Sequence, residues 1–167
     1  MAVSVDDIKA LRQITGAGVM DSKRALEEAS GDIKRAEEIL RQQGIASAAK
    51  KANRATNQGL VESYIHSGGR IGAIVEVNCE TDFVARTEEF KDLAHNLAMQ
   101  IAAMSPSYVD ESAVPEDETV DAAQDCLLQQ PFIRDPAKTV QDLVNEAVGK
   151  LGENVRVRRF TRFSLGE

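Results

Sequence analysis

The stretch that most restricts the fold is LVESYIHSGGRIGAIVEV, Leu60 to Val77. Two runs rich in β-branched and aromatic residues, Leu60–Ile65 and Arg70–Val77, flank the turn His66-Ser67-Gly68-Gly69. That pattern reads as a β-hairpin, with glycine providing the backbone freedom of the turn. Beyond it the apolar period changes from two to 3.6. Thr87 caps a helix in which Phe90, Leu93, Ala94, Leu97, Ala98 and Ile101 share one face, with Glu88 and Glu89 suiting its positive end. A Ser/Pro/acid-rich loop over 105–119 and a short helix around Val120–Gln130 follow. Thr139–Leu151 is a second amphipathic helix, ended by Gly152, and Asn154–Phe163 is the last strand. The expected core, residues 58–167, is a small antiparallel three-stranded sheet packed with helices.

Residues 4–43 have a different pattern. Ile8, Leu11 and Ile14 form an apolar stripe that Gly16 and Gly18 interrupt. Val19, Leu26 and Ala29 mark a second helix, and Ser30-Gly31-Asp32 is a stop followed by a new N-cap. Ile33, Ala36, Ile39 and Leu40 form a third stripe, closed by Gly44. Three short helices bury little apolar surface, as befits a docking module. The expected organisation is a module over 1–45, a linker with helical leaning over 46–57 and the core over 58–167, an α+β protein overall.

Charge distinguishes the two parts. Residues 1–57 carry ten Lys and Arg against eight Asp and Glu, whereas residues 58–167 carry ten against nineteen, within a net charge of −7. An acidic core is a poor nucleic-acid binder. Its exception, Arg156, Arg158, Arg159 and Arg162, alternates with Val155 and Val157, and reads as a strand with one wet face rather than an RNA contact. No apolar run has membrane-spanning length, and MAVSVDD lacks the basic-then-apolar order of a signal peptide. With two cysteines, Cys79 and Cys126, the chain is expected in the reducing cytoplasm.

No enzyme chemistry is apparent. Cys79, Cys126, His66 and His95 lack the spacing of a zinc knuckle or zincin helix, so neither a metal nor another cofactor is expected. Glu80 and Asp82 would raise the pKa of Cys79, which suits a small buried hydrophobe better than a nucleophile. Gly16-Ala17-Gly18 is an interhelical turn, not a phosphate-cradling loop.

VNCETDFVAR, Val77 to Arg86, poses the functional question. Asp82 and Phe83 stand where a strand gives way to a helix, normally a surface position. Asp82 has a reading as a helix N-cap with Phe83 as core, and another in which Phe83 is an exposed wedge. Composition and periodicity leave both open.

LRQITGAGVMDSKRAL (Leu11–Leu26) and EVNCETDFVAR (Glu76–Arg86) resemble the two signature segments of translation elongation factor Ts. SGDIKRAEEILRQQG, AAKKA, IHSGGRIGAIVEVN, LAMQIAA and GENVRVRRFTRF extend the resemblance over nearly the whole chain. It implies a short form with one core domain, acting as guanine-nucleotide exchange factor for the GTPase elongation factor Tu. It further implies that the N-terminal module has the ubiquitin-associated (UBA-like) fold and docks through Arg12, Val19, Met20 and Lys23, with Lys51 nearby. Val19 stands where many members carry Met, and Ser22 where Cys is frequent. The resemblance places the tetrad Thr81, Asp82, Phe83 and Val84 beside the partner's Mg²⁺ site, with the Phe83 ring wedged into the G domain. His66 matches a histidine that approaches another domain of the partner.

A single core bearing both His66 and the Phe83 turn implies a homodimer in a two-to-two complex with elongation factor Tu, without direct contact to nucleic acid or membrane. The competing expectation is a non-exchanging binding module that recruits a ubiquitin-like or ribosomal partner. Acceleration of GDP release distinguishes them.

Overall fold

The computed structural model describes residues 3–167; Met1 and Ala2, the start of the stretch read above for a signal peptide, lie outside the described residues. Its helices are α1 (Val5–Thr15), α2 (Val19–Glu28), α3 (Ile33–Lys51), α4 (Asp82–Ala85), α5 (Glu88–Met104), α6 (Ala122–Asp125) and α7 (Val140–Leu151). Its strands are β1 (Gln58–Ile65), β2 (Ile71–Cys79), β3 (Pro131–Phe132), β4 (Asp135–Thr139) and β5 (Val155–Ser164). The architecture is α+β, with N-terminal helices followed by a small antiparallel three-stranded sheet with helices. Two compact units divide the chain. One runs to Asn53 and includes Asn145–Gly152; the other comprises Arg54–Val144 and Glu153–Glu167.

In the first unit, α1 opens with a capping box. The Ser4 hydroxyl accepts from the Asp7 N–H at 3.0 Å while the Asp7 carboxylate accepts from the Ser4 N–H at 3.3 Å. Gly16, at φ +65°, ends the helix in the left-handed conformation that a Cβ disfavours. Asp32 caps α3 by accepting from the Arg35 N–H. Leu11, Ala25, Leu26, Ala29 and Ala36 form the core, with Ile8, Ile33, Ile39 and Leu40 packed against it. Ile14 departs from its expected place in the stripe and is 56% exposed. Helix α3 also departs from expectation, because it passes through Gly44 and ends at Lys51. Gly44 is a site of close helix approach rather than a stop. A Cβ there would lie 3.4 Å from the Asn145 carbonyl oxygen of α7. The Ala-rich turns beyond it have high helix propensity and carry α3 into the stretch expected to be a linker.

Ser22 is fully buried in α2 and its hydroxyl has no hydrogen-bond partner among the described residues. Ser22→Ala removes an unpaired polar atom and improves helix propensity, so it is expected to stabilise the unit by about 1 kcal/mol. A higher urea midpoint of the helical signal would show this; an unchanged or lower midpoint would contradict it.

The second unit is built on the sheet β1-β2-β5, antiparallel throughout. Ala73, Val75, Val77 and Cys79 alternate onto the covered face of β2, and all are buried. Helix α5 covers it with Phe90, Leu93, Ala94, Leu97, Ala98 and Ile101, the face expected from their spacing. At Gly59 a Cβ would stand 2.0 Å from the Val77 carbonyl oxygen, so this close strand approach needs glycine. A bulge between β2 and β5 pairs Glu76 with Arg159 and Val77 with Val157, leaving Arg158 unmatched. Arg159 donates to the Glu76 carboxylate at 2.7 Å and Arg158 lies 3.9 Å from it. These contacts give Arg158 and Arg159 of this edge strand a charged, outward-facing setting. Arg162, expected on the same wet face, instead pairs with Ala73 on the covered side, is largely buried and donates to the Ala102 carbonyl at 3.1 Å. The open face of the sheet, by contrast, leaves Val61, Ile65, Ile74 and Phe163 exposed.

The β3–β4 hairpin has no counterpart in the expectations. Its strands are short, carry Pro131 and Pro136, and do not alternate. A long-range polar contact secures it: Gln100, buried in α5, donates to the Pro131 carbonyl at 3.1 Å and accepts from the Ile133 N–H at 2.9 Å.

Candidate functional site

Strand β2 ends at Cys79, and two residues later the chain enters the single turn of α4. Thr81, not Asp82, is the N-cap: its hydroxyl accepts from the Val84 N–H at 3.4 Å. Asp82 is therefore the first residue within α4, where its negative charge suits the helix end. It pairs with Arg86 at 2.7 Å across one turn. Ala85 is buried and anchors the turn, while Phe83 points away from the core and is 77% exposed. Of the two readings of Phe83, the structure selects the exposed ring. Val84 is half-buried, and its carbonyl accepts from the Thr87 hydroxyl at 2.8 Å as α5 begins.

The turn is tied down by a residue that the sequence reading missed. The Glu153 carboxylate, which follows α7, accepts from the Glu80 N–H at 3.1 Å, the Thr81 N–H at 3.0 Å and the Thr81 hydroxyl at 2.6 Å. In return the Glu80 carboxylate accepts from the Asn154 N–H at 2.7 Å and lies 3.5 Å from the Arg54 guanidinium. Asn154, almost fully buried, donates its side-chain N–H to the Arg54 carbonyl at 2.8 Å. No local pattern announces Glu153, because its partners lie more than seventy positions away. Its only signal is membership of the terminal GENVRVRRFTRF segment.

Cys79 at this site is not an activated thiol. Burial, and then the nearby Glu153 carboxylate, push the Cys79 thiol up to about 11, and its S–H donates to the Thr81 carbonyl. Burial likewise raises the Cys126 thiol. Among the described residues, no group of three or more His, Cys, Asp and Glu side chains stands together as a metal site. No helix among the described residues is long and apolar enough to cross a membrane.

The expected docking residues Arg12, Val19, Met20 and Lys23 lie in the first unit, at and around the α1–α2 turn. Arg12 donates to the Ala17 carbonyl at 3.3 Å and so braces that turn. Val19 and Met20, in the first turn of α2, are 50% and 64% exposed, and Lys23 lies 3.7 Å from Glu27. Ile14, a member of the expected α1 stripe, is exposed and adds an apolar side chain to this segment. Lys51, the last residue of α3, donates to the Ser47 hydroxyl at 2.6 Å. In the second unit, His66 lies in the β1–β2 turn, its Nδ1 3.2 Å from the Tyr64 hydroxyl. It stands at the opposite end of β2 from Phe83, about 25 Å away at ~3.3 Å per strand residue.

A family model described as Elongation factor TS matches residues 5–125. Elongation factor Ts of Moorella thermoacetica is 49% identical over 195 aligned positions, which cover 99% of this chain and 96% of the relative. Elongation factor Ts of Thermotoga neapolitana is 50% identical over 195 positions, covering 100% of this chain and 99% of the relative. That of Carboxydothermus hydrogenoformans is 50% identical over 191 positions, covering 96% and 88%. These alignments are longer than the 167-residue chain, so it matches its relatives end to end but is internally shorter. On both its two signature segments and these full-length similarities, the chain belongs to the elongation factor Ts family.

Proposed function

We propose that this chain is a guanine-nucleotide exchange factor for elongation factor Tu, acting in the cytoplasm during translation elongation. The observation that carries the reading is Phe83, a large apolar ring that is 77% exposed at the tip of a braced turn. Burying such a ring in a partner contributes roughly 2–3 kcal/mol. That free energy is available to distort the partner's Mg²⁺ and phosphate site, with Asp82 adding a negative charge beside the cation and Thr81 and Val84 flanking the wedge. By linkage, a factor that weakens GDP binding is itself weakened by GDP to the same extent, and incoming nucleotide can release it. The chain forms and breaks no covalent bond in this scheme.

In the same reading, residues 1–45 dock as a UBA-like module through Arg12, Val19, Met20 and Lys23, assisted by Lys51. The core over 58–167 delivers the wedge, and tethering raises its effective concentration at the target. His66 reaches a different domain of a partner molecule. Because His66 and Phe83 lie at opposite ends of β2, the arrangement proposed is a homodimer with two partner molecules, each core offering its wedge to one and its His66 turn to the other.

The test is release of a fluorescent GDP analogue from elongation factor Tu at increasing concentrations of the chain. Saturable acceleration is expected, and Met20→Ala should raise the half-saturating concentration several-fold while leaving the plateau rate near that of the parent chain. No acceleration at any concentration would leave the non-exchanging binding module as the better reading.

A further inference from the structure

We propose that Glu153 is the positioning residue for the exchange turn: its carboxylate holds Thr81, and through Thr81 it fixes the direction in which Phe83 is presented. The inference rests on the exchange reading above and names what makes that turn competent. A four-residue helix cannot sustain its own geometry, since so few internal hydrogen bonds do not offset the ordering of the backbone. The direction of the ring must therefore be imposed from outside α4. At the C-terminal end buried Ala85 and the Thr87 hydroxyl, which donates to the Val84 carbonyl, hold α4 in place. Ahead of Phe83 the turn is held on its N-terminal side through Thr81.

There the geometry converges on one group. A carboxylate is an acceptor on both oxygens, and three donors face this one: Glu80 N–H and Thr81 N–H on Oε2, and the Thr81 hydroxyl on Oε1. Because the hydroxyl proton is directed at Glu153, a lone pair of the same oxygen is left to receive the Val84 N–H and cap α4. The link runs from Glu153 to Thr81 to the helix whose second residue is Phe83. The clasp is reciprocal, since the Glu80 carboxylate receives the Asn154 N–H. Glutamine at 153 would keep the size and one oxygen for the two backbone N–H groups. It puts an NH₂ opposite the Thr81 hydroxyl, however, so that bond persists only with its direction reversed and the hydroxyl proton loses its acceptor.

The sequence contains no tryptophan, so Phe83→Trp provides a single reporter at the wedge. In the full-length free chain, adding Glu153→Gln to Phe83→Trp is expected to lower the time-resolved anisotropy plateau of the indole. Unchanged anisotropy overturns the proposal whatever the exchange assay shows. With the native Phe83 and elongation factor Tu carrying a fluorescent GDP analogue, Glu153→Gln is expected to reduce the maximal release rate five- to tenfold. The half-saturating concentration should stay within twofold, because docking lies elsewhere. In a Phe83→Ala background the same substitution should cost less than twofold. An equal loss in both backgrounds would show that Glu153 acts through general stability and overturns its role. Thr81→Val is the second variant: it leaves the carboxylate and removes the hydroxyl link, and should reproduce the rate loss, whereas Thr81→Ser should restore it. Phe83→Ala alone separates the two levels. If it exchanges at the wild-type rate the wedge reading fails; if it is slow while Glu153→Gln is not, the role of Glu153 fails alone.

Discussion

Phe83→Ala is expected to leave the melting temperature and circular dichroism near those of the parent chain while slowing the plateau rate of GDP release by roughly tenfold or more. The two halves of that result have separate physical causes. With 77% of its surface already exposed, the ring has little to lose from the folded state when truncated, and no core cavity opens. The same exposure makes its whole apolar surface available for burial in a partner, where removal costs about 2 kcal/mol, a factor of about thirty in rate if that energy is used at the transition state. Ala85, two positions on, provides the contrast. It is buried, so enlarging it should lower the melting temperature before it affects exchange. A Phe83→Ala chain that melts early, or that releases GDP at the parent rate, would remove the wedge from the mechanism.

Legibility in the sequence follows the range of the interactions. The β1–β2 hairpin and the buried face of α5 were readable because their periods are local and each is paired with a turn or cap signal, the Gly68-Gly69 pair and Thr87. The same holds for the α1–α2 turn at Gly16. Where the reading went astray, a distant partner decided the outcome. Gly44 resembles a helix stop in isolation, but it accommodates the backbone near Asn145 and the helix continues. The β3–β4 hairpin depends on Gln100, some thirty residues earlier. Asp82 and Thr81 are both acceptable N-caps, and the hydrogen bond from Val84 selects Thr81. At the site itself, the residue types of the tetrad stood out, but neither the exposure of Phe83 nor its brace at Glu153 could be read locally.

Phe163→Arg is expected to convert the proposed homodimer into a monomer, with the mass by light scattering falling from twice that of the chain to one chain. The open face of the sheet motivates this result. Paired registry sets Ile65 beside Gly72 and Gly72 beside Phe163, so one row across three strands is apolar. Ile65 leans over Gly72, where a Cβ would meet its Cδ1 at 2.6 Å. Ile74 and Val61 continue the patch, and with 64% of Ile65 and 70% of Phe163 exposed it is uncovered in a single chain. Farther along the same face, the Glu76–Arg159 pair marks a polar rim. A patch of this kind can cover itself when two copies meet about a two-fold axis, which places like against like. Arginine at 163 would then bring two buried guanidinium groups into one interface with no carboxylate supplied to receive them, a cost of several kcal/mol. In the proposed two-to-two arrangement, loss of the dimer should also lower exchange, because each core there serves two partner molecules from the two ends of β2. Retention of the dimer by Phe163→Arg would exclude this face as the interface, and a monomeric chain with full exchange in a one-to-one complex would exclude the two-to-two arrangement.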